Sequence, residues 1–298
     1  MAVWQVGKAT IERIEEFCSP GFPPAVQFPD YTPGIFARHP ELAGMDRIDP
    51  QTGNTFASIH SWLLRFGGET ILIDTATGNG KVRTDPKFTR FHMLETDFLG
   101  RLAAAGVKPE DVSYVINTHM HVDHSGWNTM LVDGDWVPTF PNARYVFGEA
   151  EYRNWQAGGV TALAQPEGLP VIADSIEPVV SAGRVTWVSD GDMLIPGLSF
   201  HAMPGHTSGQ LAVRLRSNDQ TAWFSGDVLH RAMQVFEPRL NCFLCEDNEL
   251  APLTRAGFLE TCAHDRALIF PAHFDRPHAG RIGRRSDGGY RFEPVKPA

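Results

Sequence analysis

The sequence has no run of apolar residues as long as the roughly 20 that a membrane-spanning helix needs. It also lacks a basic excess, because 26 Lys and Arg stand against 35 Asp and Glu, for a net charge of −9. Nucleic-acid grooves and anionic membrane surfaces both require clustered positive charge, so we expect neither partner. No apolar stretch follows a basic start at the amino end, and we therefore predict a cytoplasmic location.

Cysteine is scarce as well. The 298 residues contain four, Cys18, Cys242, Cys245 and Cys262, which is too few for a disulfide scaffold. Cys242 and Cys245 form a C-x-x-C pair, but no second pair stands at zinc-ribbon spacing and no thioredoxin-like start precedes them. We interpret the pair as packing thiols, with a redox or metal role as the alternative.

Histidine, in contrast, is abundant, with 12 residues in an acidic chain. The strongest pattern is His119-x-His121-x-Asp123-His124, which directly follows a predicted apolar strand over 112–117. Residues two apart in an extended segment point to the same side, so His119 and His121 can share one position while Asp123 and His124 reach a second. Imidazole and carboxylate suit Zn²⁺, Mn²⁺, Fe²⁺ and Co²⁺, whereas a structural zinc site more often uses Cys.

Three further candidates stand at the ends of predicted strands in the second half of the chain. They are His206 after Pro-Gly, Asp227 after Ser-Gly, and His273 after Pro-Ala. Any one of them alone is more typical of a hydrogen-bonded core residue. Together with the four-residue cluster they indicate a two-metal site, and the small neighbours would leave room for the backbone to approach the metals.

The apolar periodicity predicts one domain over 1–298 with alternating strands and helices. Strands are predicted over 59–66, 70–74, 112–117, 145–147, 184–188, 198–203, 210–215, 221–225 and 267–270, and helices over 95–105, from about 149, and over 252–262. Gly67-Gly68 is predicted to form a hairpin turn between the first two strands.

Two segments outside this pattern receive separate interpretations. Residues 18–50, here called the arm, contain seven prolines, which rule out a regular helix or a central strand. Its interleaved aromatics favour an ordered surface wrap, with a pocket wall or a dimer contact as alternatives. The basic tail with Arg281, Arg284 and Arg285 is predicted to be solvated, and the alternative is that it wraps back to the pocket mouth.

This ordered set of residues resembles the metallo-β-lactamase fold superfamily over about residues 55–280. The match is His-x-His-x-Asp-His, then His, then Asp, then His. The resemblance implies an α+β fold, a four-layer αβ/βα sandwich of two mixed β-sheets with outer helices. It also implies two divalent ions, foremost Zn²⁺, with the first held by His119, His121 and His206, the second by Asp123, His124 and His273, and both bridged by Asp227.

Within that superfamily the motif favours the binuclear hydrolases, in particular the group that holds N-acyl-homoserine lactonases and methyl parathion hydrolase. The commonest zinc β-lactamases lack a His after the motif Asp and use Cys at the later Asp position. Glyoxalase II shares the seven ligands, but its glutathione-binding region has no clear counterpart after His273. His230 follows Asp227 by three residues, as in methyl parathion hydrolase-like members, where the lactonases have Tyr. It could donate a proton to the leaving group or support the ligands from beneath.

The resemblance therefore implies a hydrolase in which a metal-bridging hydroxide attacks a lactone, an ester or a similar neutral small molecule. The catalytic candidates are Asp123, Asp227 and His230. An apolar substrate is favoured by aromatic and Met residues near the site-bearing loops, although each alone is more typical of a core: Trp127, Met130, Trp155, Met233, Phe236 and Phe243. The alternatives are hydrolysis of phosphotriesters or aryl halides, a mononuclear-iron sulfur dioxygenase-like enzyme, and a binding protein with an inert metal site. A homodimer is an open alternative to a monomer.

Overall fold

A computed structural model describes residues 2–158 and 168–298. Its strands are, in chain order, β1 (Val3–Val6), β2 (Ala9–Pro20), β3 (Phe56–Phe66), β4 (Glu69–Ile73), β5 (Tyr114–Ile116), β6 (Thr129–Val132), β7 (Asp135–Pro138), β8 (Arg144–Gly148), β9 (Val185–Val188), β10 (Met193–Ile195), β11 (Leu198–Ala202), β12 (Leu211–Ser217), β13 (Gln220–Phe224), β14 (Leu268–Phe270), β15 (Gly280–Arg284) and β16 (Tyr290–Pro294). Every strand predicted from the sequence is present, with ends shifted by one to three residues. The Gly67-Gly68 turn is also confirmed, because both residues have positive φ, as a tight hairpin requires.

Among the described residues the helices are fewer than the strands, and most of them are short. They are α1 (Pro24–Gln27), α2 (Ile35–Arg38), α3 (Phe98–Ala104), α4 (Glu149–Gln156), α5 (Gly168–Val171), α6 (Glu177–Ser181), α7 (Met233–Phe236) and α8 (Leu250–Asp265), with a π-helical turn at Ile172–Ile176. The longest, α8, begins where Asp247 accepts the backbone N–H groups of Glu249 and Leu250, which satisfies free donors at the helix start. No helix in the described ranges has both the length and the apolar character that crossing a membrane requires.

Most strands belong to two mixed sheets of seven. The first has the order β1-β2-β3-β4-β5-β8-β9 and the second the order β10-β11-β12-β13-β14-β15-β16, while β6 and β7 form a separate hairpin. The pairs β4–β5, β5–β8, β8–β9 and β13–β14 are parallel, and the other pairs are antiparallel. Parallel neighbours have their carboxyl ends at the same edge of a sheet, so residues that follow such strands lie close together there.

Alternating side chains place these sheets in the middle of four layers. On β3, Trp62 and Leu64 face the second sheet, where they share a core with Phe224 and Phe270. Leu63, between them, faces outward into a core with residues of α3, α4 and α6. The outer face of the second sheet packs against α7 and α8. The predicted α+β fold, two mixed sheets with outer helices, is confirmed.

Two predictions about the chain ends need correction. The arm was predicted to be irregular from residue 18, yet β2 continues to Pro20, the last residue of the strand, where the missing N–H costs least. The basic tail is not a solvated segment, since β15 and β16 form an antiparallel hairpin at the edge of the second sheet. Ile282 and Phe292 are buried there, and Arg284 lies on the same face as Ile282 at the exposed end of the strand, where it pairs with Glu260 of α8.

Beyond Pro20 the arm forms two short helices and lies over the second half of the molecule. Its residues Phe28, Ile35 and Leu42 are buried in the same core as α7 and α8. The arm is thus ordered by apolar contacts, as its aromatic content predicted.

Candidate metal centre

The seven predicted ligands converge where several strands end. The His119–His124 segment follows β5, and His206, Asp227 and His273 follow β11, β13 and β14. Gly226, before Asp227, has a φ of +49°, and a Cβ there would lie 2.7 Å from Oγ1 of Thr118. Glycine at position 226 therefore leaves room for the neighbouring segment that carries His119. From the sequence we expected it to leave room for the backbone to approach a metal, and this explanation is corrected here.

The ligand atoms fall into two groups, each within 4.8 Å. One consists of His119, His121, His206 and Asp227, and the other of Asp123, His124 and His273. In the first group, Nδ1 of His121 lies 2.9 Å from Nε2 of His206. In the second, Nε2 of His124 lies 3.1 Å from Nε2 of His273.

Asp227 connects the two groups. Its Oδ2 lies 3.3 Å from Nε2 of His206 in the first group and 3.4 Å from Nε2 of His124 in the second. Its Oδ1 lies 3.1 Å from Nε2 of His273. Asp227 therefore lies between the two groups, at the position for which the resemblance implies a carboxylate that bridges two ions.

The donor set fits a pair of divalent ions. Two nitrogen ligands of one tetrahedral zinc, each about 2.0–2.1 Å from it, lie about 3.3 Å apart, close to the separations observed. Nε2 of His119 is buried and has no hydrogen-bond partner among the described residues, although such atoms are nearly always paired. A metal ion would supply the missing partner.

The protonation states of the three histidines in the first group agree with this assignment. Burial lowers the pKa of His121 to about 3 and holds the pKa values of His119 and His206 well below their usual range. These rings are therefore neutral at pH 7, the form that binds metal. Burial also lowers the pKa of His124, but the carboxylates of Asp227 and then Asp74 outweigh it and raise that pKa well above its usual value.

Buried partners orient the ligand rings from behind. Nδ1 of His124 lies 2.9 Å from Oδ2 of Asp74, and Nδ1 of His273 lies 3.1 Å from the carbonyl oxygen of Ser58. Each contact directs the opposite nitrogen, Nε2, into the site, which is how proteins commonly orient ligating histidines. Asp74 was not identified from the sequence, although it follows the apolar strand β4 just as the predicted ligands follow theirs.

A second buried carboxylate joins two ligand-bearing segments. Glu151 of α4 accepts hydrogen bonds from the N–H of Met120 at 3.1 Å and from the Nε1–H of Trp155 at 3.0 Å. It also accepts from the hydroxyl of Thr207 at 2.7 Å and the N–H of Gly209 at 3.2 Å. The segments that carry His121 and His206 are thus connected through one side chain, and no sequence motif reveals this link.

His230 and Cys245, which the sequence analysis also singled out, lie close to the ligands. The buried ring of His230 lines the cleft, and its Nε2 lies 3.2 Å from Oδ2 of Asp227. Sγ of Cys245 lies 3.7 Å from Nδ1 of His206, behind that ring. Burial raises the pKa of Cys245 to about 12, so the thiol is protonated, and both Cys242 and Cys245 are free and buried, as expected of packing residues.

The cleft above the ligands is lined partly by the arm, which the sequence offered as a possible pocket wall, and partly by residues that the sequence did not indicate. Its apolar part comes from Phe22, Ala57, Ile59, Phe88, Phe91, Val122 and Leu244, and its polar part includes Gln27, Arg90 and Arg231. The six aromatic and Met residues that favoured an apolar pocket lie outside this lining. Trp127 and Trp155 are buried in the core outside the first sheet, and Met233 and Phe236 in the core beneath the arm.

Comparisons with known proteins agree with this geometry. The sequence model of the Metallo-beta-lactamase superfamily matches residues 54–278. The N-acyl homoserine lactonase AiiB of Agrobacterium fabrum is 23% identical over 248 residues, covering 78% of this chain and 84% of its own. An N-acyl homoserine lactonase from a Bacillus species is 24% identical over 227 residues, covering 71% and 79%.

Solved structures show the same fold. The hydrolase AbOPH, of the beta lactamase superfamily, superposes with a TM-score of 0.81 at 24% identity and covers 99% of this chain and 97% of its own. AidC, a dizinc quorum-quenching lactonase solved with a product, superposes with a TM-score of 0.77 at 19% identity, again covering 99% and 97%.

Proposed function

The chain belongs to the metallo-beta-lactamase superfamily, and we propose that it is a binuclear metal-dependent hydrolase that opens lactones or cleaves esters of small molecules. The observation that carries this proposal is the position of Asp227, whose carboxylate lies within 3.1–3.4 Å of ring nitrogens from both ligand groups at the base of one cleft. The relatives named as N-acyl homoserine lactonases support a lactone or ester as the substrate.

The proposed ligands are His119, His121 and His206 for the first ion, Asp123, His124 and His273 for the second, and Asp227 for both. When bound, such a pair of ions lowers the pKa of water and polarises the carbonyl that is attacked. Imidazole and carboxylate ligands suit Zn²⁺ but also Mn²⁺, Fe²⁺ and Co²⁺. The dizinc lactonase of the same fold supports zinc as the metal of this proposal.

The side chains around these ligands have separate tasks in the proposal. The side chain of Asp123 is 18% exposed and that of Asp227 only 5%, so Asp123 is the carboxylate that can orient an attacking water from the cleft. His230 faces the same cleft beside Asp227 and is positioned to protonate the leaving oxygen. Its alternative task, support of Asp227 from the side, uses the same 3.2 Å contact.

A substrate panel with metal-reconstituted protein tests this function. The panel compares acyl-homoserine lactones, simple γ- and δ-lactones, aryl esters, phosphotriesters and aryl halides. We expect about two metal ions per chain and the largest kcat/KM on a lactone or ester. A larger kcat/KM on a phosphotriester or an aryl halide would show that these compounds, rather than lactones or esters, are the substrate class. Uptake of oxygen with a thiol substrate would show that the reaction is an oxidation rather than a hydrolysis.

The control separates the site from the rest of the protein. His121→Ala should lose metal and turnover, whereas His264→Ala, whose side chain is 82% exposed on α8, should keep both. Full activity in protein shown by elemental analysis to hold no metal would refute the proposal.

A further inference from the structure

Two arginines line the same cleft as the proposed ligands. Nη2 of Arg90 donates to the hydroxyl of Ser19 at 3.0 Å, and its guanidinium carbon lies 5.1 Å from the centre of the Phe91 ring. Its Nε is buried and has no hydrogen-bond partner among the described residues. The guanidinium is thus held against the arm and an aromatic ring with its Nε–H unused.

Arg231 lies next to His230. Its Nη1 donates to the carbonyl oxygen of His230 at 2.8 Å and of His273 at 3.3 Å, so the side chain is fixed beside the ligand loops. Its Nε is likewise buried without a hydrogen-bond partner in the described part of the chain. Buried donors are nearly always paired, so the unpaired Nε–H groups of two arginines that line one cleft point to a ligand.

Neither guanidinium has a carboxylate within 4 Å in residues 2–158 and 168–298. Burial lowers the pKa of Arg90 to about 10, the charge of Asp123 opposes that shift, and the charge of Arg231 adds to it. Both arginines remain charged at pH 7. Burial also lowers the pKa of Arg231, and the charge of the buried Asp46 is the largest that opposes this shift. In the proposed enzyme Asp123 is a metal ligand, so its charge would be shared with an ion, and Arg90 would face the cleft with little compensation.

We propose that Arg90 and Arg231 bind a carboxylate carried by the substrate, and that the enzyme prefers lactones or esters that bear such a group at a distance from the bond that is cleaved. The proposal rests on the hydrolase function proposed above and names its substrate class. Guanidinium groups bind carboxylates through paired, charge-assisted hydrogen bonds. The apolar lining, including Phe22 and Ile59, would contact the carbon chain between the two ends. This replaces the neutral substrate that we expected from the sequence.

The first experiment compares two esters that differ in one charge, 4-nitrophenyl hydrogen glutarate and methyl 4-nitrophenyl glutarate, with zinc-reconstituted enzyme. We expect kcat/KM to favour the acid by about tenfold or more, which is about 1.4 kcal/mol. In Arg90→Gln this ratio should fall by about tenfold. In Arg153→Gln, which removes an arginine that is 72% exposed on α4, the ratio should not change.

A ratio near one in the wild type, or an unchanged ratio in Arg90→Gln, would overturn the proposal. Arg90→Lys serves as a second variant because it keeps the charge but loses the planar fork, and it should give an intermediate ratio.

A binding measurement separates failure of this proposal from failure of the hydrolase function. Calorimetry with 4-phenylbutyrate and zinc-reconstituted protein should give a dissociation constant about tenfold lower for the wild type than for Arg90→Gln. The neutral 4-phenylbutyramide should not distinguish the two proteins. If neither the glutarate esters nor any substrate of the panel is hydrolysed, the hydrolase function fails while this measurement still decides the role of Arg90. Equal binding of 4-phenylbutyrate by both proteins would refute that role.

Discussion

The floor and the wall of the cleft are built in different ways. The floor consists of the seven proposed ligands, all within eight residues of a preceding strand end, and the buried carboxylates of Asp74 and Glu151 support some of the segments that carry them. The wall consists of Phe22, Gln27, Phe88, Arg90, Phe91 and Leu244, which lie in the arm and in loops and pack on one another. Phe22, for example, meets the ring of Phe243 edge-on at 5.2 Å.

This difference separates two properties of the proposed enzyme. The floor is fixed by sheet strands, so a change there should affect metal binding and every substrate alike. The wall is fixed by contacts between loops, which tolerate sequence change more readily than strands do. A change in the wall should therefore alter the preference between substrates more than the rate of the chemical step.

The largest effect should come from the centre of the floor. Asp227→Ala removes a carboxylate that lies within 3.4 Å of ring nitrogens in both ligand groups, and we expect kcat/KM to fall by about a thousandfold or more, equivalent to about 4 kcal/mol. Elemental analysis should also show metal loss. Because this is a floor residue, the acidic and the methyl glutarate esters should lose activity to the same degree.

The matched control is Asp219→Ala, which removes an exposed carboxylate between β12 and β13. It should retain both metal and turnover. A loss confined to one of the two esters in Asp227→Ala would contradict the separation between floor and wall.

The floor could be predicted from the sequence because its signals are local. Four ligands lie within six residues after an apolar strand, and His206, Asp227 and His273 each follow another strand. Asp74 was missed because a single strand-end Asp belongs to no cluster, although the preceding Ile71-Leu72-Ile73 marks the strand clearly. Motif spacing reveals the ligands but not the residues that orient them.

A smaller effect is expected at Glu151, which lies behind the ligand segments of the floor. Glu151→Gln replaces a carboxylate that accepts four hydrogen bonds with an amide whose NH₂ group must face donors. We expect a loss of about 2–3 kcal/mol in the free energy of unfolding and metal affinity weakened by about 10- to 100-fold. Thermal unfolding with and without zinc, together with a chelator titration, measures both quantities.

Glu149→Gln is the matched control, because Glu149 lies on the same helix with its side chain 41% exposed and pairs with Arg153. Its unfolding and its metal affinity should match the wild type. Unchanged metal affinity in Glu151→Gln would show that the two ligand segments hold their positions without this link.

The wall could not be predicted, because its residues come together only through tertiary packing. Phe22 and Leu244 are more than 200 positions apart and share no motif. The sequence instead favoured residues close to the ligands in the chain, such as Trp127 and Met233, and these fill the two outer cores. The prolines of the arm excluded long helices correctly but gave no indication of which aromatic faces the site.

The smallest effect should come from the edge of the wall. Phe22→Ala removes a partly exposed ring from the cleft, and partial burial of a ring against a substrate chain contributes about 1 kcal/mol, or about a fivefold change in KM. We expect this rise for long acyl chains and little change for short ones, with kcat unchanged, in steady-state assays on an acyl series. Val26→Ala, an exposed change on the same arm, should leave both KM values as they are. A fall in kcat with Phe22→Ala, equal for short and long chains, would mean that the wall also positions the floor, and the two regions would then have to be treated as one unit.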